Sequence, residues 1–327
     1  MRIIDNLTDT KLDRDSILTI GAFDGLHLGH QAVLQRLLAR ARETARLSGL
    51  VTFQPHPRSV LSNVAEPKYL TTLEEKAALL QQMGLDILFV LPFTPALAAM
   101  LALEFISALY TGLRMRELWV GPDFALGRKR EGNVSVLREI GETMDFALQV
   151  VAPVTQSQQI VSSTYLRSLV AAGDVAEAAR WLGRYYSLSG AIVPGAGRGR
   201  QLGFPTANLA VLQEKIVPTD GVYPVFAEVE GVRYQAVVNI GVRPTFDNGR
   251  GCTGVLRTPT SERTIEAHLL DFGRTFGSPG DLYGRKMTVQ FVARLRAERR
   301  FERVADLIAQ IQRDCDQARR ILNESAD

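Results

Sequence analysis

The sequence predicts two domains in tandem: a doubly wound α/β domain on a parallel sheet over residues 1–183, then an antiparallel barrel or sandwich with a long C-terminal helix over residues 184–327. Three observations predict it. Short apolar runs alternate with helical periodicity through the first half, the pattern of consecutive βαβ units. From about Tyr185 that periodicity gives way to Val- and Ile-rich runs punctuated by glycine, five of them from Gly190 to Gly203. A length of 327 residues also suits two domains of roughly 100–200 residues each.

In the first half, Ile17–Gly21, Leu50–Phe53, Asp86–Leu91, Glu117–Gly121 and Phe146–Val151 read as buried strands. Val33, Leu34, Leu37, Leu38 and Ala41 recur at helical spacing. A second helix opens on the capping box Thr72-Leu73-Glu74-Glu75 and stops at Gly84. A third runs from a Thr94 cap, with Pro95 at its first position, to Gly112. In the second half, strand patterns cover Gly221–Glu230, Val232–Ile240, Thr264–Leu270 and Lys286–Leu295, with a hairpin turn at Glu230-Gly231. A closing helix carries Phe301, Val304, Leu307, Ile308, Ile311, Cys315, Ala318 and Leu322 on one face.

Composition narrows the function classes. A net charge of +3, from 38 Lys+Arg against 35 Asp+Glu, gives no dedicated nucleic-acid face, and the basic stretch Arg294–Arg303 is interrupted by Glu298 and Glu302. No apolar run reaches the ~20 residues of a membrane helix, and the N-terminus lacks a signal-peptide pattern, so a cytoplasmic enzyme is expected. Cys252 and Cys315 form no metal-binding pair, and Cys315 reads as a core thiol.

Chemistry concentrates in two places. Gly21-Ala22-Phe23-Asp24-Gly25-Leu26-His27-Leu28-Gly29-His30 joins the first strand to the first helix. A helix start offers free N–H groups and partial positive charge, which favour a phosphate. Imidazoles at 27 and 30 share a helix face and could stabilise charge on a phosphate under in-line attack. Zinc fits less well, because no third ligand lies at suitable spacing. His56, after the second strand, reads equally as a structural residue or a ligand contact. Ser162-Ser163-Thr164-Tyr165-Leu166-Arg167 opens a late helix whose hydroxyls either cap it or, together with the histidine turn, hold a triphosphate tail.

The second place is Gly195–Asn208. Its closely spaced glycines expose N–H groups for phosphates, and Thr206 and Asn208 supply neutral oxygens suited to Mg²⁺. The spacing is neither a Walker A loop nor a protein-kinase glycine loop. Glu266 breaks a strand pattern in which Ile265, Ala267 and Leu269 share one face and Glu266 and His268 the other. It reads either as a solvent-facing carboxylate or as a general base at a barrel mouth.

These motifs resemble a known family. The Gly21–His30 turn with the Ser162–Arg167 helix is similar to the HxGH nucleotidyltransferases, and Phe53–Pro57 with Val120–Phe124 narrows the likeness to bacterial bifunctional riboflavin kinase/FAD synthetases. Gly197–Asn208, Gly221-Val222-Tyr223, Asn239–Phe246, Glu266–Phe272 and Asp281–Gly284 resemble, in order, their flavokinase module. The resemblance implies riboflavin, FMN, FAD and ATP as substrates and products, with Mg²⁺ accompanying ATP. It puts His27 and His30 on the phosphates of one ATP, with Gly21, Phe23, Asp24, Gly25, Asp123, Ser163, Thr164 and Arg167 around it. It gives a second ATP to Gly197, Gly199, Gly203, Pro205, Thr206 and Asn208, the metal to Thr206 and Asn208, and the role of base to Glu266. It makes the second domain a six-stranded antiparallel barrel whose terminal helix helps wall the flavin site.

This chain departs from the family pattern at Ala22, where Asn is usual, and in longer stretches at 247–263 and 273–280. An alternative therefore stays open: an active kinase whose first domain is weak, inactive or specific for another acceptor. Nucleic-acid and membrane partners are not expected, and self-association is left open.

Overall fold

The computed structural model describes the chain except for residues 7–9, 62–67, 153–154, 157–158, 196, 243–262, 273–281 and 326–327. Cys252, the motif residues 243–246, Asp281, the 273–280 stretch and all but the last residue of the 247–263 stretch lie outside the described residues. The chain divides into two compact units, Met1–Leu166 and Arg167–Asp327.

The first unit runs β1 (Arg2–Ile4), β2 (Ser16–Ile20), α1 (Leu28–Glu43), β3 (Leu47–Gln54), α2 (Pro57–Leu61), α3 (Leu73–Met83), β4 (Ile87–Pro92), α4 (Pro95–Ala99), α5 (Ala102–Gly112) and β5 (Met115–Val120). A small ribbon, β6 (Ala125–Leu126) with β7 (Gly132–Asn133), precedes α6 (Val134–Met144) and β8 (Ala147–Val150), and β9 (Thr155–Gln156) pairs with β10 (Gln159–Ile160). The main sheet has the order β1-β4-β3-β2-β5-β8, and each of its pairings is parallel. Among the described residues its strands feed two larger apolar clusters and a small one of Ile17, Leu37 and Ala41. Of the larger two, one holds Leu18, Val51, Phe89 and Leu118 with Phe105 and Leu109 of α5, the other Leu50, Leu88 and Val90 with Leu34 of α1 and Leu80 of α3. Helices thus cover both faces, as a doubly wound sheet requires. From β2 the strand order proceeds outward through β3 on one side and β5 on the other, so the end of β2 is the topological switch point.

Two details differ from the sequence expectation. The edge strand β1 is too short to give a periodic signal. The helix expected over Thr94–Gly112 is two helices, because Met100 turns to an extended conformation. There the Met100 carbonyl accepts the Arg128 N–H at 2.9 Å and the Ala102 N–H donates to Glu131 Oε1 at 3.0 Å, contacts that an unbroken helix could not make. The α3 capping box is as expected, with Thr72 and Glu75 bonded reciprocally at 3.0 and 3.2 Å.

The second unit contains α8 (Val175–Leu182), β11 (Tyr186–Val193), the short helix α9 (Arg198–Gln201), β12 (Ala207–Val211), β13 (Gly221–Val229), β14 (Val232–Val242), β15 (Arg263–Leu269), β16 (Lys286–Phe291) and α10 (Val304–Glu324); α7 (Ser163–Ala172) spans the division between the units. The strands close as β11-β12-β15-β14-β13-β16, each pair antiparallel. This is the six-stranded barrel expected from the resemblance. Tyr223, Val225, Ala227, Val238, Ala267, Val289 and Phe291 fill its buried layer. The intervening residues Val222, Phe226, Val237 and Val292 pack on Cys315, Ala318 and Leu322 of α10. The β13–β14 hairpin turns through Glu230 and Gly231 at φ 50° and 80°, as the Glu-Gly pair predicts. The apolar face assigned to α10 is narrower than expected: Phe301 precedes the helix, and Val304 and Ile308 are exposed.

Candidate active sites

The first site occupies the switch point. The turn after β2 brings Phe23, His30 and His27 into one ring stack, with centroids 4.5 Å apart for Phe23–His30 and 3.7 Å for His27–His30. His27 is the residue before α1, and its Nδ1 accepts the His30 N–H at 3.4 Å, so one imidazole both caps the helix and stacks on the other. His30 Nδ1 is buried and has no hydrogen-bond partner among the described residues. Burial, then the neighbouring His27 and Lys76, hold the His30 pKa well below the usual 6.5. A neutral His30 has a hydrogen bond to offer a ligand and not a full positive charge.

The Asp24 carboxylate faces the segment before α3. Its buried carboxylate accepts the N–H of Leu70 at 3.0 and 3.1 Å and that of Thr71 at 3.0 Å, with the Thr71 hydroxyl at 3.3 Å. Thr71 Oγ1 in turn accepts the Gly25 N–H at 3.0 Å. These bonds fasten the turn to the segment before α3. Ser163 Oγ donates to the Asp24 carbonyl at 2.9 Å, which brings the start of α7 to the same turn. Ser162 caps α7 by accepting the Tyr165 N–H at 3.2 Å, while Thr164 is exposed. Asp123 is exposed, and its carbonyl accepts from Arg130. His56 donates its main-chain N–H to the Tyr69 hydroxyl at 3.1 Å. Gly21 closes the strand end by donating to the Val51 carbonyl.

The second site lies on the outer wall of the barrel under α10, not at its mouth. Strand register places Asn208 opposite Glu266 and Glu266 opposite Asn239, so three polar residues form one row across β12, β15 and β14. Residues opposite one another across a ladder share a face. Glu266, Asn239, Thr206 and His268 border a cavity of about 360 Å³ whose other side is formed by Leu307, Ile311, Asp314 and Cys315 of α10 and by Phe301. The alternation expected for β15 is observed, but its interior side is the Ile265, Ala267 and Leu269 face.

The glycine-rich segment folds against this row by close approach. A Cβ at Gly195 would collide with the Asn208 carboxamide, and one at Gly199 would strike the Phe204 carbonyl and lie 3.2 Å from Thr206 Oγ1. Gly197 and Gly203 have φ of 69° and 85°. His268 Nδ1 is 2.8 Å from the Pro205 carbonyl, and its ring meets Phe204 edge-on at 5.6 Å. A carbonyl only accepts, so Nδ1 carries the proton and Nε2 is the acceptor nitrogen. Burial keeps the His268 pKa low, against the raising effect of that hydrogen bond.

Across the cavity, Arg296 is paired with buried Asp314 through Nε at 3.0 Å and Nη2 at 2.7 Å, which ties the segment after β16 to α10. Cys315 is buried, and burial pushes its thiol up to about 11, so it behaves as a core residue. Sequence patterns give Asn239 no site role; the available signal is a polar residue on the same alternation as Val237 in β14. Lys76 and the Arg296–Asp314 pair belong to no motif at all.

Both sites thus present hydrogen-bond donors, imidazoles and small hydroxyls suited to phosphates, and the fold pair defines a transferase with two nucleotide-handling centres. Comparison with known proteins narrows the class. The FAD synthetase family matches residues 9–165 and the riboflavin kinase family residues 182–322. A bifunctional riboflavin kinase/FMN adenylyltransferase of Pseudomonas fluorescens is 38% identical over 314 residues, covering 96% of this chain and 95% of the relative. The protein of that description from Bacillus subtilis (strain 168) is 35% identical over 309 residues, covering 93% and 91%. A crystal structure described as a macrolide-efflux protein from Streptococcus pneumoniae superposes with a TM-score of 0.84 at 28% identity, covering 97% of this chain and 98% of that one. Among the described residues, no helix is long and apolar enough to cross a membrane. The chain belongs to the bifunctional riboflavin kinase/FMN adenylyltransferase family.

Proposed function

We propose that this chain phosphorylates riboflavin to FMN in its second unit and adenylylates FMN to FAD in its first, working in the cytoplasm on ATP. The observation that carries the reading is the cross-strand row Asn208–Glu266–Asn239 beside Thr206, in the same chain as a stacked histidine pair at a switch point. We take the functional boundary to lie at 183/184, near the start of the second family match.

In the kinase reaction, Glu266 accepts the proton of the ribityl 5′-hydroxyl as that oxygen attacks the γ-phosphorus of ATP and ADP departs. Gly197 and Gly199 turn main-chain N–H groups towards the phosphates, Gly203 closes the loop by donating its N–H to the Arg200 carbonyl at 3.2 Å, and Pro205 fixes the approach to Thr206. Thr206 and Asn208 provide a hard, neutral oxygen pair that would hold Mg²⁺. The glycine contacts that press Asn208 and Thr206 into place support this fit. Mg²⁺ bound there supplies charge neutralisation on the nucleotide. The walls of α10 and Phe301 offer an apolar surface for a flavin ring.

In the adenylylation, a phosphate oxygen of FMN attacks the α-phosphorus of ATP and pyrophosphate leaves, with no covalent enzyme intermediate. His27 and His30 donate to the phosphate under attack, with Gly21, Phe23, Asp24 and Gly25 shaping the turn. Ser163, Thr164 and Arg167 serve the departing β- and γ-phosphates, and Asp123 stands near the reacting ones. Chromatography of a reaction with riboflavin, ATP and Mg²⁺ should show FMN and then FAD. E266Q should lower FMN formation by about 10²–10⁴-fold while still making FAD from supplied FMN. A wild-type chain that makes no FMN would reject the kinase assignment, and one that makes FMN but no FAD would favour the alternative in which the first unit serves another acceptor.

A further inference from the structure

Lys76 sits on the buried stripe of α3, one turn before Leu80, where an apolar residue would be expected. It is 8% exposed. Its Nζ donates to the Ala22 carbonyl at 2.7 Å and lies 3.4 Å from Thr52 Oγ1, both neutral groups. Among the described residues no carboxylate is within ion-pairing distance of it. An ammonium buried without a paired carboxylate is costly, and stability alone does not account for one.

Its effect falls on the turn that carries the histidines. Thr52 Oγ1 also donates to the Ala22 carbonyl, at 3.3 Å, so that oxygen is held from two directions. The Ala22–Phe23 peptide is trans and planar, so a carbonyl fixed toward Lys76 turns the Phe23 N–H the opposite way. That N–H meets no acceptor among the described residues, and Phe23 is held at φ 45°, a conformation unusual for a bulky side chain. A cation on the carbonyl also polarises the peptide and strengthens its N–H as a donor. Ala22 has no polar side chain to offer a ligand, so its main chain is what the fold secures.

We propose that Lys76 is a positioning residue for adenylyl transfer: its ammonium fixes the Ala22–Phe23 peptide so that the Phe23 N–H is presented to the phosphate under attack. This rests on the adenylyltransferase reading of the first unit. Lys76 does not touch the substrate; it acts through the peptide.

The test is steady-state FAD formation from FMN and ATP by the full chain, with riboflavin phosphorylation by the same preparation as the internal control. K76M should lower kcat for FAD formation at least about tenfold, leave the KM for FMN within about threefold, and leave FMN formation unchanged. K76R, which keeps charge and donor, should restore most of the loss. A second measurement needs no variant. Burial brings the Lys76 pKa to about 8, and the titratable groups acting on this corner are Asp24 and His30, with His27 behind His30. The kcat for FAD formation by the wild type should therefore decline as pH rises through about 8, with no such limb in FMN formation. A K76M chain with kcat within about twofold of wild type, or a wild-type profile flat across that range, overturns the proposal. Wild-type enzyme that makes no FAD at all would instead remove the reading beneath it.

Discussion

Asp24 stands in a motif expected to bind nucleotide, yet its carboxylate is engaged inside the protein, and Asp24→Ala measures that difference. The substitution leaves two buried main-chain donors, Leu70 N–H and Thr71 N–H, without their acceptor, and the Thr71 hydroxyl loses its contact as well. An orphaned buried donor costs about 1–3 kcal/mol, so the pair sums to about 2–6 kcal/mol of local stability. Asp24→Asn should cost less, about 1–2 kcal/mol, because an amide oxygen in place of Oδ1 still accepts from both residues while its NH₂ group opposes the Leu70 N–H. Hydrogen exchange reads the change where it occurs, at the Leu70 and Thr71 amides. With about 1.4 kcal/mol per tenfold, D24A should accelerate their exchange on the order of 30-fold or more and D24N about tenfold. Exchange in D24A within about threefold of wild type would refute the anchoring role and leave the carboxylate free for a ligand.

Three further outcomes follow from the geometry. Replacing His30 by Ala should lower FAD formation by about 10²-fold or more and spare FMN formation; equal loss of both would show that the two sites are not separate. Gly199→Ala forces a Cβ into the Phe204 carbonyl, so it should raise the KM for ATP in FMN formation by displacing Thr206, and unchanged kinetics would contradict that packing. Stability should respond to acid through His30 and His268, whose folded pKa values are both below 6.5, chiefly by burial. Above pH 6.5 both are neutral in either state and the stabilisation is full; as pH falls from there the unfolded chain takes up protons first, so Tm declines until the folded pKa values are passed. A Tm independent of pH below 6.5, or a slope untouched by removing both imidazoles, would count against their burial as neutral rings.

Local signals in the chain foretell local structure well. The Thr72–Glu75 box, the Gly84 stop and the Glu230-Gly231 turn act over a few residues, so their neighbours in sequence are their neighbours in space. The break at Met100 is different: it depends on Arg128 and Glu131, which arrive from beyond α5, and no pattern near residue 100 records them. Strands β11 and β12 are obscured by the same glycines that allow the loop between them to press on Asn208 and Thr206. Period-two alternation separates Glu266 from Ile265 and Ala267 but does not say which side is the barrel interior; the position of α10 decides that. Motif spacing finds His27 and His30 but not the internal bonding of Asp24, because its partners Leu70 and Thr71 lie far along the chain. Lys76 is hidden for a different reason, since one lysine on a helix ordinarily faces water.

The most direct test of two separate chemistries on one chain is to follow the fate of labelled ATP in a single reaction with riboflavin. Label in the γ-phosphate should enter FMN and remain in the FAD made from it, while label in the α-phosphate should appear only in FAD and never in FMN. α-Label absent from every flavin product would contradict adenylyl transfer, and γ-label absent from FMN would contradict the kinase.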